Sequence, residues 1–182
     1  MKLGADGWVE GVRRVLSPNR DERPAGEPIS LLLLHSISLP PGEYGGDSIE
    51  RLFTNRLDPQ AHPYFSQIHS LEVSSHFLVR RDGALVQFVP VHERAWHAGA
   101  SSWRGRERCN DFSVGIELEG VDDGPFEDAQ YRSLRELVHG LAAALPLREV
   151  AAHSEVAPGR KTDPGAQFDW TRLLGDLARG AL

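Results

Sequence analysis

Two short apolar runs in the chain each end in a histidine. The first, residues 31–34, is uninterrupted and is followed by His35, and such a run between turn residues is typical of a strand buried on both faces. The second, residues 150–152, ends a predicted strand over residues 148–152 and leads directly into His153. Side chains at strand ends face the loops where binding groups usually lie. The pattern therefore predicts two strands that can present their imidazoles to a common ion.

Other patterns predict the remaining elements. Alternation over residues 113–120 predicts a strand with Glu117 and Glu119 on one face, and a solvated face is the commoner interpretation of such a pair. Two β-rich runs flank Asp82-Gly83, which predicts a hairpin with a type I′ turn. Helices are predicted at residues 47–53, from near Glu127 until Pro146, and from Asp169 toward Ala178. We therefore expect an α/β fold with a single mixed β-sheet flanked by helices.

Length and composition predict one domain that is preceded by an arm. A chain of 182 residues with 40% hydrophobic content suits a single core. Proline and polar residues interrupt any long element in residues 1–28, so this segment is expected to be an N-terminal arm packed on the domain surface. Residues 29–182 are expected to form the domain itself.

Charge and cysteine content limit the partners and the compartment. The net charge of −6 comes from 26 acidic and 20 basic residues, without a block of five like charges, so we expect no nucleic-acid or membrane partner. No early apolar run is long enough for a signal peptide or a membrane span. Cys109 is the only cysteine, which precludes an intrachain disulfide and is compatible with the cytoplasm. We expect a cytoplasmic protein without an obligate protein partner.

The segment 151–165 is the candidate for chemistry. It is rich in Pro and Gly and holds an imidazole, an ammonium and a carboxylate, from His153, Lys161 and Asp163. A turn at Pro164-Gly165 would fold the carboxylate back toward the imidazole. Zn²⁺ binds imidazole nitrogen and carboxylate oxygen and needs a third protein ligand at a catalytic site. A His and an Asp ten residues apart are weakly specific by themselves, and two solvated side chains are the commoner interpretation.

Five motifs, found in order at residues 34–43, 58–65, 94–99, 105–120 and 160–165, span nearly the whole chain. Together they resemble the motifs of AmpD-type 1,6-anhydro-N-acetylmuramyl-L-alanine amidases. That family consists of zinc amidases of cytoplasmic peptidoglycan recycling, on the fold shared with phage amidase-type lysozymes and peptidoglycan recognition proteins. The resemblance implies that residues 29–182 form a zinc amidase catalytic domain. It also implies an anhydro-muropeptide as substrate, cleaved at the amide between the lactyl group and L-alanine.

The resemblance also implies roles for individual residues. His35, His153 and Asp163 would bind Zn²⁺, Glu117 would be the catalytic base, and Lys161 would stabilise the oxyanion. The residues that would line the substrate groove are Tyr64, Trp96, His97, Arg108 and Asn110. The sequence departs from the family pattern at Ser36 and Glu72, two positions expected to contact sugar or peptide.

Two other classes of function stay open at this point. Some relatives on this fold have lost metal ligands and only bind peptidoglycan fragments, so a binding module is the first alternative. A cysteine hydrolase, with Cys109 activated by His97 or His76, is the second.

Overall fold

The computed structural model describes residues 1–177, so the predicted helix end near Ala178 lies outside the described residues. The strands are β1 (Arg13–Arg14), β2 (Arg20–Glu22), β3 (Leu31–Ile37), β4 (Phe77–Val79), β5 (Leu85–Gln87), β6 (Glu93–Ala95), β7 (Ser102–Trp103), β8 (Arg106–Glu107), β9 (Ser113–Glu119) and β10 (Glu149–Ala152). The helices are α1 (Ser48–Phe53), α2 (Phe65–Ile68), α3 (Asp128–Ala142), α4 (His153–Val156) and α5 (Trp170–Leu177), and a 3₁₀ turn covers Cys109–Asp111.

The main sheet has six strands in the order β1-β5-β4-β9-β3-β10. Strands β4, β9, β3 and β10 run parallel, whereas β5 pairs antiparallel with β4. The pairs β2–β6 and β7–β8 form two small antiparallel ribbons beside it. The sheet combines parallel and antiparallel pairs, which confirms the prediction of a mixed sheet flanked by helices. Strands β3 and β9 occupy its buried centre.

The two faces of the sheet differ in character. Helix α3 covers one face, where its stripe of Leu134, Leu137 and Val138 packs in one core cluster with Ile116 of β9 and Leu34 of β3. Strand alternation then directs the next residues of both strands to the opposite face. That second face carries His35 of β3 and Glu117 of β9. Within residues 1–177, every helix is too short or too polar to span a membrane.

The predicted solvated face of β9 is wrong. Glu117 is only 7% exposed and Glu119 only 2% exposed. Because β9 lies between two parallel strands and both faces of the sheet are covered, carboxylates on either face are removed from water. Burial of a carboxylate is costly unless the group is paired or serves a function, and this applies to Glu117 and Glu119 alike.

The hairpin between β4 and β5 is confirmed, but the predicted type I′ turn is wrong. Only Gly83 has a positive φ, +86°, whereas Asp82 keeps a negative φ. The Gly83 amide donates to the carbonyl of Arg80 (2.8 Å), and the Arg80 amide donates to the carbonyl of Ala84 (2.9 Å). This pattern is a three-residue loop with glycine at its left-handed position. A Cβ on Gly83 would lie 2.9 Å from the Ala129 carbonyl of α3, so the helix also requires a glycine here.

The first 28 residues lie along one edge of the domain. Strand β1 pairs with β5 and thereby extends the main sheet, and β2 pairs with β6. Val9 is 2% exposed and Ser17 is fully buried, with its hydroxyl donating to the carbonyl of Phe53 (2.5 Å). The segment therefore contributes both main-chain pairing and buried side chains.

Candidate metal centre and catalytic groove

Three side chains from distant parts of the chain converge at one end of the sheet. His35 lies near the end of β3, His153 opens α4 immediately after β10, and Asp163 lies in the loop that follows. The Nδ1 atoms of the two histidines are 2.9 Å apart, and the Asp163 Oδ2 atom lies 3.2 Å from His35 Nδ1 and 3.0 Å from His153 Nδ1. The sequence-predicted ligand set is thus brought together.

The local sequence explains this convergence. Strand β10 pairs in parallel with β3 so that Ala152 lies opposite Leu34, and the residues that follow each strand are therefore neighbours. The loop then returns to His153, because the Ser154 amide donates to the carbonyl of Asp163 (3.0 Å). The predicted turn does fold the carboxylate back toward the imidazole.

The three side chains have the chemistry of a metal site. Ligand atoms about 2.0–2.1 Å from a tetrahedral Zn²⁺ would lie roughly 3.3–3.5 Å from one another, close to the separations found here. A proton can satisfy only one of the three facing pairs, whereas a single cation would satisfy all of them. Two imidazoles and one carboxylate also leave a fourth position for water or substrate.

The protonation states also fit a cation. Burial lowers the pKa of His35 to about 4, although its hydrogen bond with Asp163 opposes that effect. Burial would raise the pKa of Asp163, but its hydrogen bonds with His153 and His35 and the charges of both imidazoles hold it below its usual range. A neutral imidazole and an ionised carboxylate are the forms that bind metals.

Each histidine is oriented by a contact of its other ring nitrogen. His153 Nε2 lies 3.1 Å from the carbonyl of Ala98, and His35 Nε2 lies 3.0 Å from His97 Nδ1. When Nδ1 is the ligand atom, Nε2–H is the donor in both contacts. Such contacts fix the ring and its tautomer. The sequence did not predict that the Ala98 carbonyl and His97 Nδ1 are the acceptors. Ala98 contributes a main-chain atom, which no pattern of side chains can indicate.

The His97 ring packs directly on the main chain of Gly115 in β9. A Cβ on Gly115 of β9 would lie 2.6 Å from the His97 ring, so only glycine fits at that position. Burial, followed by the charge of His35, holds the pKa of His97 well below its usual range. The neutral ring can therefore accept the hydrogen bond from His35 at Nδ1, and the same residue lines the groove.

Asn110 supports the same segment rather than the groove floor. Its Oδ1 accepts the amides of His97 (3.2 Å) and Ala98 (2.8 Å). It also lines a small cavity beside the groove, together with Trp96 and Glu72. Asn110, which the resemblance placed in the substrate groove, therefore lies in the adjoining cavity, and its side-chain oxygen is bonded to the main chain.

A groove of about 500 Å³ opens over the three candidate metal ligands. Tyr64, Trp96 and His97 line it, and so do Lys161 and Glu117. Arg108 instead lines a separate cavity, is exposed, and has its Nε 3.2 Å from Asp111 Oδ2. The apolar wall of the groove includes Ile37, Leu39, Leu52, Phe53, Ile68, Leu71 and Val73.

Glu117 lies directly beside the candidate metal centre. It is paired in register with His35 across the β3–β9 ladder. Its Oε2 is buried and has no hydrogen-bond partner among residues 1–177. Burial and the nearby charge of Asp163 raise the pKa of Glu117 well above its usual range, while the charge of Lys161 opposes the shift. A buried carboxyl without a structural partner in a groove is typical of a group that exchanges protons.

Cys109 does not have the environment of a nucleophile. Its side chain is fully buried in a core cluster with Leu31 and Leu33, and burial raises the pKa of the thiol. The proposed partner His76 is already engaged, because its Nδ1 accepts the amide of Gly115 (3.0 Å). A buried, protonated thiol is inert, so the cysteine-hydrolase alternative loses its support.

Comparison with known proteins supports the same conclusion. A family described as N-acetylmuramoyl-L-alanine amidase matches residues 25–166. The 1,6-anhydro-N-acetylmuramyl-L-alanine amidase AmpD of Escherichia coli strain K12 is 55% identical and covers 92% of each chain. The crystal structure of a selenomethionine AmpD derivative superimposes with a TM-score of 0.91 at 52% identity, over 96% of this chain and 98% of that one.

A more distant structure holds a bound ligand. It is the N-acetylmuramyl-L-alanine amidase AmiD of E. coli in complex with the substrate anhydro-N-acetylmuramic acid-L-Ala-D-γ-Glu-L-Lys, 33% identical with a TM-score of 0.60. That match covers 83% of this chain and 58% of the AmiD chain. On the combined evidence of motifs, fold and relatives, the chain belongs to the N-acetylmuramoyl-L-alanine amidase family of enzymes, as its sequence motifs predicted.

Proposed function

We propose that this protein uses Zn²⁺ to hydrolyse the amide that joins the lactyl group of 1,6-anhydro-N-acetylmuramic acid to the L-alanine of the stem peptide. The observation that carries the proposal is the convergence of His35, His153 and Asp163 beneath a groove that also contains Glu117. The names of the AmpD and AmiD relatives support the choice of substrate.

His35, His153 and Asp163 would hold the metal, and the contacts of Ala98 and His97 would keep the two imidazoles aimed at it. A bound Zn²⁺ would lower the pKa of a water molecule and polarise the carbonyl of the substrate amide. The intact ligand set argues against a binding module that has lost its metal.

Glu117 would move the proton in this reaction. Its free carboxylate oxygen would take a proton from the attacking water as the new C–O bond forms, and deliver it to the alanine nitrogen as the C–N bond breaks. Its burial suits the task, because a general base works best when its pKa lies near the operating pH.

Lys161 would stabilise the negative charge that develops on the carbonyl oxygen. Its side chain reaches the same groove two residues before the ligand Asp163. A fixed positive charge is most effective where water is partly excluded. Tyr64, Trp96 and His97 would contact the substrate in the groove, and Arg108 and Asn110 would act from the adjoining cavities.

The same proposal includes the setting and the chain organisation. We place the reaction in the cytoplasm, in peptidoglycan recycling, and take residues 1–28 as an arm on a catalytic domain formed by residues 29–182. The pairing of β1 with β5 supports an arm that folds with the domain.

Purified protein incubated with anhydro-muropeptide tests this function. We expect mass spectrometry to detect the anhydro-sugar and the free stem peptide, activity to be lost with a chelator, and Zn²⁺ to restore it. Alkylation of thiols is the control and should leave the rate unchanged, because Cys109 is buried. Turnover that resists the chelator would contradict the metal mechanism, and an intact substrate with zinc-loaded protein would contradict the activity.

A further inference from the structure

The carboxylate of Asp122 joins the two segments that carry the candidate metal ligands. Its Oδ1 accepts the hydroxyl of Ser36 at 2.6 Å, and Ser36 directly follows the ligand His35. Its Oδ2 accepts the hydroxyl of Thr162, which lies between Lys161 and the ligand Asp163. One carboxylate thus links the end of β3 with the loop that bears two functional side chains.

A second contact seats the same loop against Asp122. Gly165 has a φ of +88°, and a Cβ there would lie 2.0 Å from the carbonyl oxygen of Asp122 and 2.4 Å from its Cα. The turn after Asp163 therefore packs directly on the Asp122 main chain, where no larger residue fits. The main chain and the side chain of one residue both fix the position of this loop.

We propose that Asp122 is a positioning residue that holds the loop bearing Lys161 and Asp163 in register with His35. The inference rests on the proposed function. The loop's main-chain bonds are local, such as the bond between the Ser154 amide and the Asp163 carbonyl, and the Arg160 side chain ties the loop to the carbonyls of Ala98 and Ala100. The Asp122 bridge instead spans three separate parts of the chain, so it sets the distance between ligands that the sequence alone does not fix.

Thr162→Val is the decisive variant. Thr162 is exposed and does not line the groove, so its hydroxyl can be removed without loss of a substrate contact. We expect Thr162→Val and Asp122→Ala each to weaken Zn²⁺ binding by about 10-fold, the lower end of the effect of removing a direct partner of a metal ligand, because Asp122 acts through the neighbours of His35 and Asp163. The double variant should bind no more weakly than Asp122→Ala, because the hydroxyl acts only through that carboxylate.

Zinc affinity would be measured by competition with a chromogenic chelator, with the exposed neighbour Asp123→Ala as the matched control. A second readout needs neither metal nor activity: the Ser154 amide, bonded to the Asp163 carbonyl, should exchange with solvent faster in both variants of the metal-free protein. This readout separates failure of the inference from failure of the proposed function.

Three results would overturn the proposal. The first is unchanged Ser154 exchange in Thr162→Val. The second is additive losses of zinc affinity in the double variant. The third is an Asp122→Ala protein that keeps its zinc affinity and loses activity only through KM, which would make Asp122 a direct substrate contact.

Discussion

Glu117 and Glu119 lie on the same face of one strand, are both buried, and differ in what surrounds them. Glu119 accepts the amides of Gly45 (2.7 Å) and Arg81 (3.2 Å), and it pairs with Arg80. The Oε2 atom of Glu117 has no such partner in the described part of the chain. Since a buried carboxylate without partners is costly, the site retains Glu117 at a cost in stability that proton transfer would justify.

Glu117→Gln should separate proton transfer from metal binding. Glutamine keeps the shape of the side chain but cannot take a proton from water, so we expect kcat to fall by about 10²- to 10⁴-fold. Zinc content and KM should change little, because Glu117 is not a ligand. Steady-state kinetics on anhydro-muropeptide, together with metal analysis, would measure both effects.

Glu119→Gln is the matched control for that experiment. It removes a charge from the same face of β9, two residues away, and should lower the melting temperature because the bonds to Gly45 and Arg80 weaken. Its kcat should stay within a few-fold of the wild type. Near-normal turnover in Glu117→Gln would remove that residue from the mechanism.

At this scale the sequence identified the groups whose chemistry is unusual for their position. His35 and His153 follow apolar residues near the ends of strands, Asp163 follows His153 by ten residues in a turn-rich loop, and the resemblance implied that all three bind the metal. The contacts that orient the ligands depend on the path of the loop through residues 96–100. That path is set by the side-chain oxygen of Asn110, which accepts the amides of His97 and Ala98 and which no local sequence pattern pairs with them.

At the scale of elements, strand β9 does two things at once. Its apolar residues pack under α3, and Gly115 on the other face leaves room for the His97 ring. A shift of register by one residue would exchange the two faces of β9. It would then remove both the apolar contacts with α3 and the space for the His97 ring. The fold of the sheet and the orientation of His35 are therefore linked through one glycine.

Gly115→Ala tests that link. The added Cβ would lie 2.6 Å from the His97 ring, so the ring must move and its contact with His35 must weaken. We expect a loss of stability of about 1–3 kcal/mol, as for other overpacked sites, and weaker zinc binding. Urea unfolding and chelator competition would measure the two effects.

Gly175→Ala provides the control, because nothing lies within 4 Å of a Cβ at that position of α5. It should leave zinc binding unchanged and raise stability slightly, since alanine favours helix more than glycine. A Gly115→Ala protein with unchanged zinc affinity would show that the position of His97 is not set from β9.

Elements with a clear period were predictable, and the shorter ones were not. Strands β3 and β9 and helix α3 have enough residues for a pattern to repeat, and Asp169 caps α5 as predicted, with its carboxylate accepting the amides of Thr171 and Arg172. Strands β1 and β2 have two and three residues, which is too few for any alternation. They are strands because of the neighbours they pair with.

At the scale of the whole molecule, two arginines tie the first 28 residues to the rest. Arg23 donates to the carbonyls of Val91, Asn110, Asp111 and Ser113, and its burial lowers the pKa of the guanidinium to about 10. Arg13 pairs with both oxygens of Glu50 at 2.7 Å. The arm thus reaches the segment that holds His97 and also the helix beside the groove.

Glu50 lies at the centre of a buried network, since it also pairs with Arg80, which in turn contacts Glu119. Hydrogen bonding from Arg13, and then from Arg80, lowers the pKa of Glu50 although burial opposes the shift. A carboxylate with a lowered pKa stabilises the fold above its unfolded-state pKa of about 4.3, and that contribution disappears as pH falls through the folded-state value. The network should therefore stabilise the docking of the arm at neutral pH and lose that contribution in acid.

Glu50→Gln should accordingly lower the free energy of unfolding by about 2 kcal/mol at pH 7, because it removes charge-assisted bonds from Arg13 and Arg80 and leaves Glu119 as the remaining ionic partner of Arg80. The charge-dependent part of the difference should begin to shrink as the pH falls below about 4.3, where the carboxyl of the unfolded chain takes up a proton, and should vanish below the lowered pKa of the folded state. Urea unfolding across pH 3–7 would measure it, with Glu10→Gln, an exposed partner of Lys2, as the control expected to change little. A Glu50→Gln penalty that stays constant with pH would mean that the side chain stabilises the arm by packing alone, and that its charge contributes nothing to the cohesion of the molecule.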